Sequence, residues 1–186
     1  KEFGGEVPCV LDGGEADVGI ESTIVDLSGS RPALLRPGWI TAAQVAQAAG
    51  AVLAAPAADA PRAPATLAAH YAPRTPLMLV EGDLGVELAA SLARQGKRAA
   101  VLALSAQQPL TKGIAWIAAP RDPAGYAHAL YASLRLLDEA GCDTTIVERP
   151  PQASEWAAIN DRLSRAAAGS PAAERPRPCL HDYRVE

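Results

Sequence analysis

Residues 19–38 read Gly-Ile-Glu-Ser-Thr-Ile-Val-Asp-Leu-Ser-Gly-Ser-Arg-Pro-Ala-Leu-Leu-Arg-Pro-Gly. Two short apolar runs, Ile24-Val25 and Leu34-Leu35, flank Ser28-Gly29-Ser30, a pattern that predicts a β-hairpin. Both strand ends carry groups that a core does not need. Glu21, Ser22 and Thr23 lead into the first run, and Arg36-Pro37-Gly38 closes the second. The proline restricts Arg36 to extended backbone and so gives its guanidinium a set direction. Hydroxyls beside a fixed fork of donors suit an amino acid or a nucleotide phosphate. On residue type alone, Ser22 and Thr23 are more simply strand-start residues making local hydrogen bonds. Arg36 has the plain alternative of a surface salt bridge worth ~0–1 kcal/mol.

Outward from this stretch, composition narrows the function classes. A chain of 186 residues fits one domain, or one domain with an appendage. It is 49% hydrophobic but only 4% aromatic. Small side chains bury little area each, at ~25 cal/mol per Å², so the core should be rich in Ala, Leu and Val with few large anchors. The net charge is −4 with acids and bases interspersed, and no basic block points to independent nucleic-acid binding. Cys9, Cys142 and Cys179 are far apart, which fits a reducing compartment and offers neither a disulfide framework nor metal-ligand spacing. No apolar run reaches the ~18 residues of a membrane span, and no signal-peptide pattern is present. A cytoplasmic location is expected.

The pattern changes twice along the chain. Thr41-Ala-Ala-Gln44 is a capping box, so a helix is expected over Ala42–Ala49, stopped by Gly50. Pro56, Pro61, Pro64, Pro73 and Pro76 then punctuate an Ala-rich linker, extended more than helical. From Thr75 onward, strands predicted at 77–80, 99–104, 113–118 and 144–147 are interspersed with helices predicted at 85–95, after the Asp122-Pro123 cap, and at 154–168. The middle helix places Tyr126, Leu130, Leu134 and Leu137 on one face and stops at Gly141. This order predicts an α/β fold: a mostly parallel sheet with helices on both faces. Met78, Trp116, His128 and Trp156 are expected to pack. Residues 169–186, rich in Pro and charge, are expected to be irregular.

The opening stretch resembles the end of the YrdC-like catalytic domain of threonylcarbamoyl-AMP synthases, which carries a Glu-Ser-Thr-hydrophobic-hydrophobic-Asp segment followed by Leu-Arg-Pro-Gly. Glu2-Phe3-Gly4-Gly5, Leu11-Asp12-Gly13-Gly14 and Gly19 match it too. Ala63-Pro64-Ala65-Thr66-Leu67-Ala68-Ala69-His70-Tyr71-Ala72-Pro73 is similar to the interdomain linker of the two-domain members, with Ala65 where most have Gly. The match is strong over residues 1–74. Beyond them it is weaker, carried by Val147-Glu148 and Asn160-Asp161-Arg162-Leu163. The resemblance implies three parts: the β-rich C-terminal part of the YrdC-like domain at 1–49, a linker or lid at 50–74, and a Rossmann-like domain at 75–186. The family's Thr-Glu-Thr-Val-Tyr-Gly-Leu, Lys/Arg-rich and Ser-Ala-Asn segments have no counterpart here, so the chain alone is expected to be inactive.

The implied activity joins L-threonine, bicarbonate and ATP, with Mg²⁺, into threonylcarbamoyl-AMP and pyrophosphate for tRNA modification, with tRNA met only through downstream transferases. The matching residues imply a threonine contact for Ser22 and ATP contacts for Arg36 and Tyr71, with His70-Tyr71 in a segment that folds over the cleft. No catalytic residue or metal ligand is assigned to this chain. Glu21 and Asp26 are read as structural, with indirect Mg²⁺ coordination the lesser alternative, and Asp12-Gly13-Gly14 as a turn. In the second domain, Glu81-Gly82-Asp83-Leu84-Gly85 lacks the G-x-G-x-x-G spacing of a dinucleotide loop. The rival reading is a non-catalytic α/β interaction or regulatory module. An RNA-binding role is disfavoured by the acidic balance.

Overall fold

The computed structural model describes residues 5–64 and 72–171. His70, Tyr71 and the tail from residue 172 lie outside the described residues. The expected hairpin forms, with β1 (Ile24–Asp26) and β2 (Ala33–Arg36) antiparallel. Asp26 accepts from the N–H and the hydroxyl of Ser28, at 2.9 and 2.7 Å, and these donors hold its carboxyl below the usual aspartate value. Pairing shifts register after Ile24: Ile24 faces Arg36 but Val25 faces Leu34, which leaves Leu35 as an extra residue. Such a bulge resets the in–out alternation, and Ala33 and Arg36 are the two buried positions of β2.

Upstream, Gly14 donates to the Asp12 side chain at 2.9 Å, the turn expected there. Helix α1 (Ala42–Ala49) carries the capping box: Thr41 N–H reaches Gln44 Oε1 at 2.8 Å, and Gln44 N–H reaches Thr41 Oγ1 at 3.3 Å. The chain leaving α1 turns back along the ribbon, where Ala54 N–H donates to the Pro32 carbonyl at 2.8 Å beside a bridge to Ala33.

The second part runs β3 (Leu77–Val80), α2 (Leu84–Arg94), β4 (Ala99–Ala103), β5 (Ile114–Ala118), α3 (Pro123–Glu139), β6 (Thr144–Glu148), a 3-10 turn (Ser154–Trp156) and α4 (Ala157–Gly169). The four strands form one parallel sheet in the order β3-β6-β4-β5, so α2 and α3 each cross over an intervening strand. Helix α2 covers one face through Ala89 and Leu92, against Ala99, Val101, Ala103 and Ile146. Helices α3 and α4 cover the other, against Ala100, Leu102 and Val147. Every residue of β4 and β6 is buried, as a sheet covered on both faces requires. The core has the expected small-residue character. Its large anchors are Tyr126 and Trp156, whose rings meet edge to face at 5.6 Å.

Two local expectations need correcting. The last helix opens with a 3-10 turn, tighter than the single α-helix that periodicity predicts, and that turn places Trp156 in the core. His128 is not a packing residue: its side chain is 44% exposed and lies against the ribbon segment.

The ten-residue connection from β4 to β5 contains no helix, so nothing within it caps the end of β4. Glu148, the last residue of β6 and itself buried, supplies the acceptor. Its carboxylate takes the N–H groups of Leu104, Ser105 and Ala106 at 2.7, 2.9 and 3.2 Å, and the Ser105 hydroxyl. Burial opposes the charge, but these donors outweigh it and hold the carboxyl below the usual glutamate value. Its folded pKa is depressed, so its contribution to stability is complete above the unfolded value of about 4.3. That contribution is lost as pH falls through the folded value. Glu148→Ala should therefore cost roughly 2–3 kcal/mol at pH 7, because three N–H groups lose a charged acceptor. The gap should narrow toward pH 3. Urea unfolding at both pH values checks this, and equal midpoints at pH 7 would discard it.

Candidate functional site

The two strand ends come together as the sequence suggested. Ser22 is exposed and Arg36 is buried, 6% exposed. Arg36 Nε and Nη2 both donate to the Ser22 carbonyl, at 3.0 and 2.8 Å, and Nη2 lies 3.4 Å from Ser22 Oγ. Nη1 reaches further, to the Pro64 carbonyl at 2.9 Å. The guanidinium thus ties the start of β1, the end of β2 and the linker together. Thr23 serves the same construction: its hydroxyl donates to the Ile40 carbonyl at 2.6 Å. Gly38 makes the approach possible. A Cβ there would lie 2.2 Å from Thr23 N and 2.5 Å from the Ser22 carbonyl carbon, so no side chain fits.

The ribbon is seated on the α/β part through its neighbours. Glu21 receives the Tyr131 hydroxyl from α3, at 2.9 and 3.0 Å from its two oxygens, and Arg162 Nε from α4 at 2.9 Å. Arg162 also donates to the backbone carbonyls of Glu21, at 3.2 Å, and Pro37, at 2.5 Å. Burial alone would raise the Glu21 pKa, but its own backbone N–H, Arg162 and Tyr131 outweigh that and bring it below the usual value. Gly19, at φ +74°, lies so close to α3 that a Cβ would sit 2.5 Å from His128 Cα. His128 Nδ1 lies 3.1 Å from the Ala16 carbonyl and Nε2 3.4 Å from Glu15. An open cleft of about 540 Å³ runs along residues 16–21 beside Tyr131.

Of the residues expected to bind substrate, the structure brings Ser22 and Arg36 into contact, while Tyr71 falls outside the described residues. Glu21 has the structural role expected of it. Among the described residues, no group of three or more His, Cys, Asp or Glu is gathered to hold a metal ion. Arg162 and Tyr131 escaped the sequence reading as site-forming residues. The available signal was Arg162 itself, a charged residue on the helical stripe of Ile159, Leu163 and Ala166. The arrangement supplies an exposed hydroxyl on a braced strand end, next in sequence to Glu21, which lines the cleft, a frame for orienting a small polar ligand.

Comparisons with known proteins give the frame a context. The family described as Threonylcarbamoyl-AMP synthase, C-terminal domain, matches residues 40–168. The threonylcarbamoyl-AMP synthase of Pyrococcus abyssi is 28% identical over 178 residues, and that of Bacillus subtilis 29% over 176; each alignment covers 90% of this chain and 51% of the relative. The Schizosaccharomyces pombe protein of that name is 29% identical over 191 residues, covering 90% of this chain and 47% of its own length. The chain therefore spans about half the length of the curated relatives it matches.

Among solved structures, Pyrococcus abyssi Sua5 complexed with L-threonine superimposes with a TM-score of 0.75 at 26% identity, covering 90% of this chain and 51% of that one. A variant of that protein, with a His and a Tyr replaced by Ala, gives 0.74 at 26% identity, covering 89% and 50%. No helix among the described residues is long and apolar enough to cross a membrane. The profile match takes in α1, the linker and the whole parallel sheet with its flanking helices, and by that measure the chain belongs to the threonylcarbamoyl-AMP synthase C-terminal domain family.

Proposed function

We propose that this chain is the C-terminal portion of an L-threonylcarbamoyladenylate synthase, a cytoplasmic nucleotidyltransferase. The observation that carries the reading is the exposed Ser22 hydroxyl on a strand end braced by Arg36, in a chain whose structural neighbour is complexed with L-threonine. In the proposed reaction, the neutral threonine amine bonds to the carbon of CO₂ derived from bicarbonate, and its proton leaves with the bicarbonate hydroxide as water, giving a carbamate. A carbamate oxygen then bonds to the α-phosphorus of ATP, and the bond from that phosphorus to the pyrophosphate oxygen breaks. Mg²⁺ enters as part of the ATP substrate. The product supplies threonylcarbamoyladenosine modification of tRNA, which other proteins complete.

Within this reading Ser22 hydrogen-bonds threonine, while Arg36 and Tyr71 serve the nucleotide. The step needs mostly positioning and charge neutralisation, so a braced scaffold suits it. The rest of the ATP and threonine site is assigned to an N-terminal portion of the kind the longer relatives carry. One observation favours a second reading for Arg36. Three of its N–H groups already face protein carbonyls, which suits a purely structural brace.

Pyrophosphate release with threonine, bicarbonate, ATP and Mg²⁺ tests the proposal. The chain alone should be silent, and the protein completed by its N-terminal portion active. There, Ser22→Ala should raise the threonine KM about fivefold, the loss of one hydrogen bond of ~1 kcal/mol, with the ATP KM within twofold. Arg36→Ala should raise both KM values, since it serves ATP and holds Ser22. An unchanged ATP KM would leave Arg36 as a brace only. An unchanged threonine KM in Ser22→Ala would reject the threonine contact.

Gly38→Ala should also raise the threonine KM, because its Cβ must push Thr23 and Ser22 away. Overpacking of this kind typically costs ~1–3 kcal/mol. Normal threonine use and an unaltered urea midpoint in that variant would show that the close approach does not matter.

A further inference from the structure

Arg162 bonds to both residues that flank Ser22 and Arg36, namely Glu21 before Ser22 and Pro37 after Arg36. It projects from α4 with only 4% of its side chain exposed. Apart from its sequence neighbour Asp161, its hydrogen-bond partners lie outside the α/β part, on the ribbon. An arginine buried for the sake of its own domain would be satisfied within that domain. This one is satisfied by the strand ends that carry Ser22 and Arg36. Arg36 continues the path by donating to the Ser22 carbonyl and to the Pro64 carbonyl, at the last described residue before 65–71.

We propose that Arg162 is a positioning residue for the synthase site, a role that rests on the reading of Ser22 and Arg36 given above. Through it, the α/β domain holds Ser22 and Arg36 in register and fixes the linker anchor at Pro64. The geometry demands arginine. Glu21 Oε2, the Glu21 carbonyl and the Pro37 carbonyl are met by three different nitrogens of one planar fork. A lysine ammonium is a point charge and cannot span all three. Because the fork is satisfied mainly by the ribbon side, parting α4 from it breaks three charge-assisted hydrogen bonds at once.

Backbone hydrogen exchange on the chain as it stands tests the clamp. Arg162→Lys should speed exchange about tenfold at residues 20–25 and 33–36, because a lysine ammonium keeps only part of the three-way contact, while amides of β4 and β6 keep their protection. Unchanged exchange at the ribbon would overturn the proposal. If Arg162→Lys also loosens β4 and β6, Glu21→Gln decides, since it leaves α4 untouched: faster exchange confined to the ribbon upholds the clamp, and none overturns it. In the completed synthase, Arg162→Lys should raise the threonine KM about tenfold with kcat within twofold. A fall in kcat at constant KM would mark a structural residue only and defeat the positioning role. If the unaltered synthase shows no threonine-dependent turnover while the exchange result holds, the functional reading falls and the clamp stands.

Discussion

A buried guanidinium must find oxygens, and Arg162 finds them across a part boundary. That single requirement decides how the β-ribbon sits on the α/β fold. The charge is compensated by Glu21, whose carboxyl is held below its usual value, against burial, by its own backbone N–H, Arg162 and Tyr131. The approach is then set by sterics as well as charge. Gly19 lets the chain lie directly against α3, and any larger residue would hold it away. Polar bonds and close backbone contact converge on the same few residues, which is how a small interface acquires one geometry instead of several.

The α/β part works under a different constraint. Its sheet is lined by Ala99, Ala100 and Ala103, all essentially fully buried, so the helices come close and few large side chains are available to fill gaps. Stability therefore depends on the area each short contact excludes from water and on the few anchors, Tyr126 with Trp156 above all. Polar ties close the edges. Asp138 at the end of α3 takes the Thr75 N–H at 2.8 Å, and Ser170 after α4 takes that of Leu77 at 3.1 Å, fastening the start of β3 to the ends of both helices.

Much of this was legible because local signals agree with the global fold. The capping box at Thr41, the Asp122-Pro123 start and the apolar runs of the strands each name their element without help from distant residues. The features that escaped are those set by partners far away in the chain. No glycine or proline within β1 or β2 marks the bulge opposite Ile24, yet the bulge decides that Arg36 turns inward. Glu148 looks like the polar end of an apolar strand, and only the loop after β4 explains its burial. Arg162 announces itself by breaking an apolar stripe, but its acceptor is 141 positions away. His128 illustrates the converse: it is expected to pack, yet its ring is exposed and faces Ala16 and Glu15, partners more than a hundred positions away that no local pattern names. For the candidate site, the meeting of Ser22 with Arg36 could be anticipated from the hairpin motif, whereas the groups that hold them could not.

The Glu148 cap has a consequence beyond the stability of one loop. In open parallel sheets, ligands bind beyond the carboxyl ends of the strands, where successive backbone N–H groups can embrace a phosphate. Here such a cradle exists after β4, and a carboxylate of the same chain already lies in it. A phosphate arriving there would meet like charge where it needs donors. At that loop the domain is self-liganded, its anion-binding geometry satisfied from within. At this loop the carboxyl end of the sheet is thus closed to a polyanion by a single glutamate.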